Sequence, residues 1–368
     1  VTMKYVIIGG GIAGISLAEE LTRRVASNDQ VTVLEAEDRL AYHTSSRAAQ
    51  QLTLSYGPQA VRELTEFTVQ DLDKRQQGLD EPLMWQSDFL LFGTQDHVVE
   101  EMYPGMTPLT HQEVREHAPE IRPESFDDGG LEHRSVRVRA LPFLHWLADQ
   151  ATERGANTVL NARMIRAERV GGLWQLTTED GQEFVADVVI NAAGAWADIV
   201  AEAFGARPLG LIPKRRTALE AALATPLTPD HPLVCRAGHD YYYRYDELGI
   251  VASPGEDEPW HAEDAQPRDA DVQRLIDRIQ TETTLEITEV IRSWCGLRTE
   301  GPDGEPVNGF DPQVPGLFWL AGQSGYGFQT SLAMATLATD LLIDRTAGNW
   351  VSADAVARVS PDRFYQQG

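Results

Sequence analysis

The chain has 368 residues, too many for one small core, and its 42% hydrophobic and 24% charged residues are the balance of a folded, water-facing protein. Its 31 basic residues stand against 56 acidic ones, a formal charge of −25, which excludes nucleic-acid binding as a main role. The only two cysteines, Cys235 and Cys295, exclude a disulfide framework and a cysteine metal site, so a reducing, cytoplasmic setting and no metal are expected.

No apolar run reaches the length of a membrane span, and no basic leader precedes a long apolar stretch. Neither a transmembrane segment nor a secretory signal is therefore expected. The acidic excess is dispersed, its richest run being "GEDEP" from Gly255 to Pro259, and reads as solvated surface.

In chain order, Tyr5-Val6-Ile7-Ile8 reads as a buried strand, and Gly9, Gly11 and Gly14 then fit G-x-G-x-x-G. The first glycine permits a tight turn, the second lets backbone approach a pyrophosphate, and the third lets helix pack on strand. Ile15, Leu17, Ala18, Leu21 and Val25 form the apolar stripe of the following helix, whose N-terminus would face the phosphates. "VTVLEAE" reads as the second strand, and Glu35 lies about 20 residues past the glycines, where an acid suits ribose hydroxyls. Such an acid argues against a 2′-phosphate but does not separate NAD from FAD. No second glycine motif occurs, so a separate NAD(P)H site is not expected.

"HTSSRAAQQLTLSYG" (His43 to Gly57) is rich in hydroxyls, and helical spacing predicts a helix from Gln59 to about Lys74. "SDFLLFG" reads as a strand, and "THQEVREHAP" as a helix with Thr110 as its N-cap. "LPFLHWLADQATERG" is an amphipathic helix ending in glycine. Strands follow in "TVLNARMIRAERV", "LWQLTTEDG" and "EFVADVVINAAGAW", with "TEDG" as a hairpin turn. "KRRTALEAAL" and "YYYRYDELGIVASP" read as strands, and Asp269 to Thr281 as a helix. "GLFWLAGQSGYGFQTSLAMATLATDLLI" reads as a strand, a glycine-rich loop and a long apolar helix. Nucleotide-type βαβ pieces thus stand at the start, middle and end, separated by strand-rich segments. The expected class is α/β: a Rossmann-type domain and a second, sheet-rich α+β domain, each discontinuous in sequence.

Several stretches together, "VIIGGGIAG", "YHTSSRAAQQLTLSYG", "VVINAAGAWAD", "RPLGLIPKRR", "SWCGLRTEGPDGEPVNG" and "GLFWLAGQSGYGFQTS", resemble the D-amino acid oxidase superfamily of FAD enzymes. Within it the likeness is strongest to the bacterial FAD-dependent D-arginine dehydrogenases. The resemblance covers nearly the whole chain. It implies FAD, held noncovalently because Cys295 in "WCGLR" matches no flavin attachment segment. It implies an FAD-binding domain from residues 1–55, 145–212 and 298–368, and a substrate domain from 56–144 and 213–297.

The cofactor positions it implies are Gly9, Gly11, Gly14, Glu35 and Ala36 at the start, then Thr44, Ser45, Arg47, Ala48 and Ala49. Met164, Ala193, Gly194 and Trp196 follow in the middle. Arg298, Gly325, Tyr326, Gly327, Phe328, Gln329 and Thr330 complete them. Backbone N–H groups of that last glycine loop suit the flavin's pyrimidine ring, where negative charge gathers on reduction.

Four residues match the family's catalytic positions: Tyr56, Arg216, Tyr242 and Arg298. An amino acid carboxylate is best met by the planar fork of arginine. Arg215 and Arg216 are adjacent, so on a strand only one can face the site. The three consecutive tyrosines leave the register of Tyr242 open by one. Gln51, Thr53, Asp88, Phe328 and Gln329 match substrate-side positions. Gln51 stands where the D-arginine dehydrogenases have a histidine, and so cannot titrate near neutral pH. Asp88 is the acid offered for a basic side chain, while Trp85, Phe89 and Phe328 would serve an apolar one.

The implied reaction moves a hydride from the α-carbon of a D-amino acid to flavin N5, and the imino acid is then hydrolysed to an oxo acid and ammonia. The electron acceptor is left open, whether oxygen, a quinone or another. The competing readings are an oxidase of N-methyl, other secondary or glycine-like amines, a 2-hydroxy acid oxidoreductase of the same superfamily, and a flavin-binding scaffold without activity.

Overall fold

The computed structural model describes residues 2–238 and 240–365. Residue 1 and residues 366–368, at the outer ends of the expected FAD-binding segments, and residue 239, in the expected substrate segment, lie outside the described residues.

Two large sheets organise the chain. The first runs, edge to edge, Val307–Phe310, Leu317–Ala321, Val188–Asn191, Lys4–Ile8, Gln30–Leu34 and Asn157–Val159. Its pairs are parallel except Val307–Phe310 against Leu317–Ala321. The central strand buries Tyr5, Val6, Ile7 and Ile8 on both faces, which is why its sequence is an unbroken apolar run. Helices Ile12–Arg24, Ala140–Glu153 and Ser331–Ile343 share one core with Tyr5 and Ile7. Val6 and Ile8 pack on the opposite face, against Trp174, Leu176 and Ala201, from the antiparallel ribbon Met164–Val170, Leu173–Thr178, Glu183–Ala186 and from helix Ala197–Ala203.

The second sheet runs Ile287–Glu300, Ile212–Leu223, Gly249–Ser253, Tyr241–Asp246, Leu233–Arg236, Phe89–Gly93, Asp128–Glu132 and Thr107–Leu109. Only Leu233–Arg236 against Phe89–Gly93 is parallel. Its back face buries Leu90, Phe92, Tyr241 and Tyr243 with Leu275 and Ile279 of helix Asp269–Glu282. The two tyrosines lie there because their hydroxyls find acids: Tyr243 donates to Glu120 at 2.5 Å and Tyr241 to Glu282 at 2.9 Å.

The expected helix ends are close to those observed. The helix near Gln59 runs Gln59–Arg75, and Thr110 closes a capping box with Glu113. Gly181 turns the "TEDG" hairpin at φ +85°. Helix Gln59–Arg75, expected with the substrate half, packs Ala60, Leu64 and Leu72 into the core of the first sheet. A third, small sheet of Gln51–Leu52, Val136–Val138 and Met84–Gln86 joins the same core through Leu52, Met84 and Val138.

Candidate active site

Three cavities follow one another from the first sheet to the front face of the second. The first, 280 Å³, opens at the carboxyl ends of Lys4–Ile8 and Gln30–Leu34. Of the expected cofactor residues it gathers Gly9, Gly11, Glu35, Ala36, Thr44, Ser45, Met164, Ala193, Gly194 and Trp196. Gly9 takes φ +116°, and a Cβ there would lie 2.3 Å from the Ala192 carbonyl oxygen. A Cβ on Gly14 would lie 2.0 Å from the Gly9 carbonyl, so Gly14 works behind the cavity by letting helix meet strand. Gly11, at the helix N-cap, leaves the cavity side open, and the Ile12 amide donates to Ser45 Oγ at 3.0 Å. Glu35 is buried. One carboxylate oxygen accepts the Gly10 amide at 2.7 Å and the other the Glu37 amide at 2.9 Å, leaving lone pairs for a diol. A free helix start with a fixed acid beside it suits a dinucleotide's pyrophosphate and ribose.

The second cavity, 80 Å³, shares Thr44 and Ser45 with the first. It is lined by Arg47, Ala48, Ala49, Gly327, Phe328 and Gln329, among others. Arg47 is tied down by Cys295 O and by Asp264 Oδ1 at 2.6 Å. Gln51 Nε2 donates to Ser87 O and to Ser135 Oγ, both at 2.8 Å. Gln51 Oε1 and Arg216 Nε are buried here without a protein partner, as expected of groups that meet a polar cofactor. The alanines and glycines leave room for a flat ring, so these residues fit a flavin.

The third cavity, 110 Å³, shares Ala49, Gln51, Arg216, Arg298, Gly325 and Gln329 with the second. Strand register explains its arginines. Arg216 pairs with Gly296, and Lys214 with Arg298, so the two arginines are diagonal neighbours on one face. Arg215 points the other way, stacks over Trp260 and donates to Gln266 O. Arg216 and Arg298 make few close ion pairs: Arg216 approaches Asp257 at 3.7 Å and feels the Glu256 carboxylate, and Arg298, which forms no ion pair among the described residues, feels Asp257. Burial, then the charge of Arg298, holds the Arg216 guanidinium below its ordinary pKa. Two partly buried cations that face one cavity make an anion site. Tyr56 and Tyr242 are the phenols within electrostatic reach of both.

Register also resolves the tyrosines. Tyr242 pairs with Cys235 and Ser253, and Cys235 with Leu91, a row that lies across the front face. Tyr241 and Tyr243 therefore point back into the core. Gln329 ties the site together: its Oε1 accepts the Thr53 amide at 3.2 Å and its Nε2 donates to Tyr56 O at 3.1 Å.

Asp88, Tyr326 and Thr330 line none of the three cavities, and Phe328 keeps its expected cofactor side but not its expected substrate side. Asp88 does not line the third cavity. Phe89 and Leu91 face it, so the alternation of the strand turns Asp88 away, where it accepts from His133 at 2.8 Å and from Gln86. Phe328 lines the second cavity and packs 6.3 Å from Phe143, away from the third. Tyr326 lines none of the three and packs at a tilt against Tyr56, 5.3 Å between ring centroids. Thr330 is buried, its hydroxyl on Tyr326 O at 2.8 Å. Trp85 is likewise outside, against Arg137. Sequence reading missed Leu91, Glu101, Tyr103, Leu233 and Cys235, which line the third cavity. Strand alternation in "FLLFG" and "LVCR" carried the signal for Leu91, Leu233 and Cys235. Glu101 and Tyr103, at the end of helix Gln95–Glu101 and just after it, had none.

No group of His, Cys, Asp and Glu able to hold a metal occurs among the described residues, and no helix is long and apolar enough to cross a membrane. Residues 4–341 match the family described as DAO, FAD dependent oxidoreductase. The chain is similar in structure to L-proline dehydrogenase from P. horikoshii (TM-score 0.83, 19% identity, covering 99% of this chain and 98% of that one). It is also similar to glycine oxidase from Geobacillus kaustophilus (TM-score 0.82, 21% identity, 96% and 98%). A third similar structure is FAD-bound L-α-glycerophosphate oxidase from Mycoplasma pneumoniae (TM-score 0.82, 17% identity, 93% and 95%).

Proposed function

Because the chain belongs to the DAO family of FAD-dependent oxidoreductases, we propose that it oxidises the α-amine of a D-amino acid, as the D-arginine dehydrogenases it resembles do. One observation carries the reading: Arg216 and Arg298 together face a cavity that continues the flavin cavity. Bound FAD supplies the acceptor for the hydride of the α-carbon. Arg298 and Arg216 would hold the substrate carboxylate by charge-assisted bonds, which turns the α-carbon toward the flavin side. The Tyr56 and Tyr242 hydroxyls would donate to the carboxylate or accept from the amine. Gln51, Thr53 and Gln329 would hold the wall between the two cavities. Phe89, Leu91 and Leu233 would exclude water from the reacting carbon.

Anaerobic mixing of the FAD-loaded protein with D- and L-amino acids, N-methyl amino acids and 2-hydroxy acids tests the reading by bleaching of the flavin absorption. Rapid bleaching by D-amino acids is expected. No bleaching by any of them would overturn it, and the class that did bleach would replace it. Acid precipitation is expected to leave the flavin in solution; flavin retained in the pellet would show a covalent link.

A further inference from the structure

A second pair of arginines, Arg137 and Arg244, lies beside the third cavity without lining it. Among the described residues four arginines are buried: Arg137, Arg215, Arg236 and Arg244. Arg215 donates to Gln266 O, Arg236 to Glu282 and Arg244 to Ala49 O. Arg137 is only 9% exposed, yet it makes no hydrogen bond among the described residues, and its Nε is sealed off without a partner. A guanidinium carries five donors, and buried donors are normally met. The one ion pair of Arg137 among the described residues is with Asp246, at 3.8 Å.

Strand register says where Arg137 points. It pairs with Gln51 on one side and Trp85 on the other, so the three share one face of the small sheet. Leu52, Met84 and Val138 take the core face. The Arg137 face meets strand Tyr241–Asp246: the guanidinium lies 5.8 Å from the Trp85 ring centroid and 5.8 Å from that of Tyr245. Arg244, on the same strand, spends Nε on Ala49 O and Nη1 on Tyr245 O and Asp246 Oδ2, while its Nη2 makes no hydrogen bond among the described residues. Arg139, also beside Trp85, is tied to Glu81. Burial, then the charge of Arg244, pushes the Arg137 guanidinium down to about 10. Two acids answer it: Asp246, a quarter exposed and shared with Arg244, and the exposed Glu247. The pair thus reaches solvent at Asp246 and adjoins the flavin and substrate cavities at Ala49 and Gln51.

We propose that Arg137 and Arg244 bind a small oxyanion, a carboxylate, sulfate or phosphate, between the small sheet and the second sheet and outside the substrate cavity. A planar fork with unmade donors matches two oxygens of such an ion. Two neighbouring cations that share one contacting acid supply the charge. The bound ion joins Arg137 to Arg244, whose Nε holds the Ala49 carbonyl at 2.8 Å. Ala49 and Gln51 wall the flavin and substrate cavities, so a filled site firms that wall.

The test is calorimetric titration of the FAD-loaded protein with sulfate, phosphate and acetate, each at constant ionic strength. It is run in an Arg298→Met background, which disables the substrate arginines and leaves the Arg137 site to be read by itself. One ion per chain should bind saturably, and at least about tenfold more weakly once Arg137→Gln is added, the worth of one charge-assisted bond. Tighter sulfate or phosphate marks an inorganic ion and tighter acetate an organic acid; either is the proposed chemistry. Adding Asp246→Asn instead removes the competing acid and should tighten binding roughly two- to fivefold. That variant keeps both arginines and decides the matter even if Arg137→Gln does not fold. No saturable binding of any of the three ions, an affinity that Arg137→Gln leaves unchanged, or an affinity that Asp246→Asn fails to raise would overturn the proposal.

Discussion

Replacing Arg298 by methionine should remove activity and raise stability together. Arg298 and Arg216 are diagonal neighbours on adjacent strands, about 7–8 Å apart by sheet geometry. With an effective dielectric of about 20, two like charges at that distance repel by on the order of 2 kcal/mol. Asp257, 3.7 Å from Arg216 and more than half exposed, and Glu256 offset only part of this. Arg298→Met relieves the repulsion, so the melting temperature of the substrate-free protein should rise by roughly 2–4 °C. The same change deletes a fork that gives a carboxylate two charge-assisted bonds. That loss is worth about 3–5 kcal/mol, or roughly 10²–10⁴-fold in kcat/KM. Arg298→Lys keeps the charge and loses the fork, so a fall of roughly 10–150-fold and little change in melting are expected. The assay is anaerobic flavin reduction against substrate concentration, with a simple amine lacking the carboxylate as control. The control should not lose with Arg298→Met. An unchanged kcat/KM for amino acids, or an equal loss for the control, would refute the reasoning.

Four further outcomes are expected. Glu35→Leu removes the acceptor for the Gly10 and Glu37 amides and should weaken FAD binding roughly 10–100-fold, read by titration of the apoprotein. Asp88→Asn should leave the substrate ranking unchanged, because the strand turns Asp88 out of the cavity; a changed ranking would contradict the register. Burial, then Glu101, pushes the Cys235 thiol up to about 12, so alkylation of the native protein at pH 8 should be about a thousandfold slower than for an ordinary thiol, as peptide mapping would show. Glu120 is buried, which alone would raise its pKa, but hydrogen bonds from His231 and Tyr243 outweigh this and hold it below the usual carboxylate value. Its stabilisation is therefore full above the unfolded pKa of about 4.3 and lost as pH falls through the folded value. Glu120→Gln should lower stability by about 1–3 kcal/mol at pH 7, with the deficit shrinking in acid, measured by denaturant unfolding across pH.

What the sequence determined by itself is the local chemistry. An unbroken apolar run, three glycines at fixed spacing and an acid about 20 residues on specify strand, turn, helix and ribose partner within one βαβ unit, because each constraint acts between near neighbours. The capping box at Thr110, the hairpin at Gly181 and the helix from Gln59 were legible for the same reason. That Arg215 and Arg216 must part on a strand was legible too. Which of them faces the site, and which of three tyrosines, was not, since that depends on register against strands 50 or more residues away in Ile287–Glu300 and Phe89–Gly93. Tertiary structure alone decided that Asp88 leaves the cavity and that Glu101 enters it. Glu101 and the two arginines come from segments with no local signal in common, and only the closure of the second sheet, with the end of helix Gln95–Glu101 laid against the loop after Leu233–Arg236, brings them to the lining of one pocket.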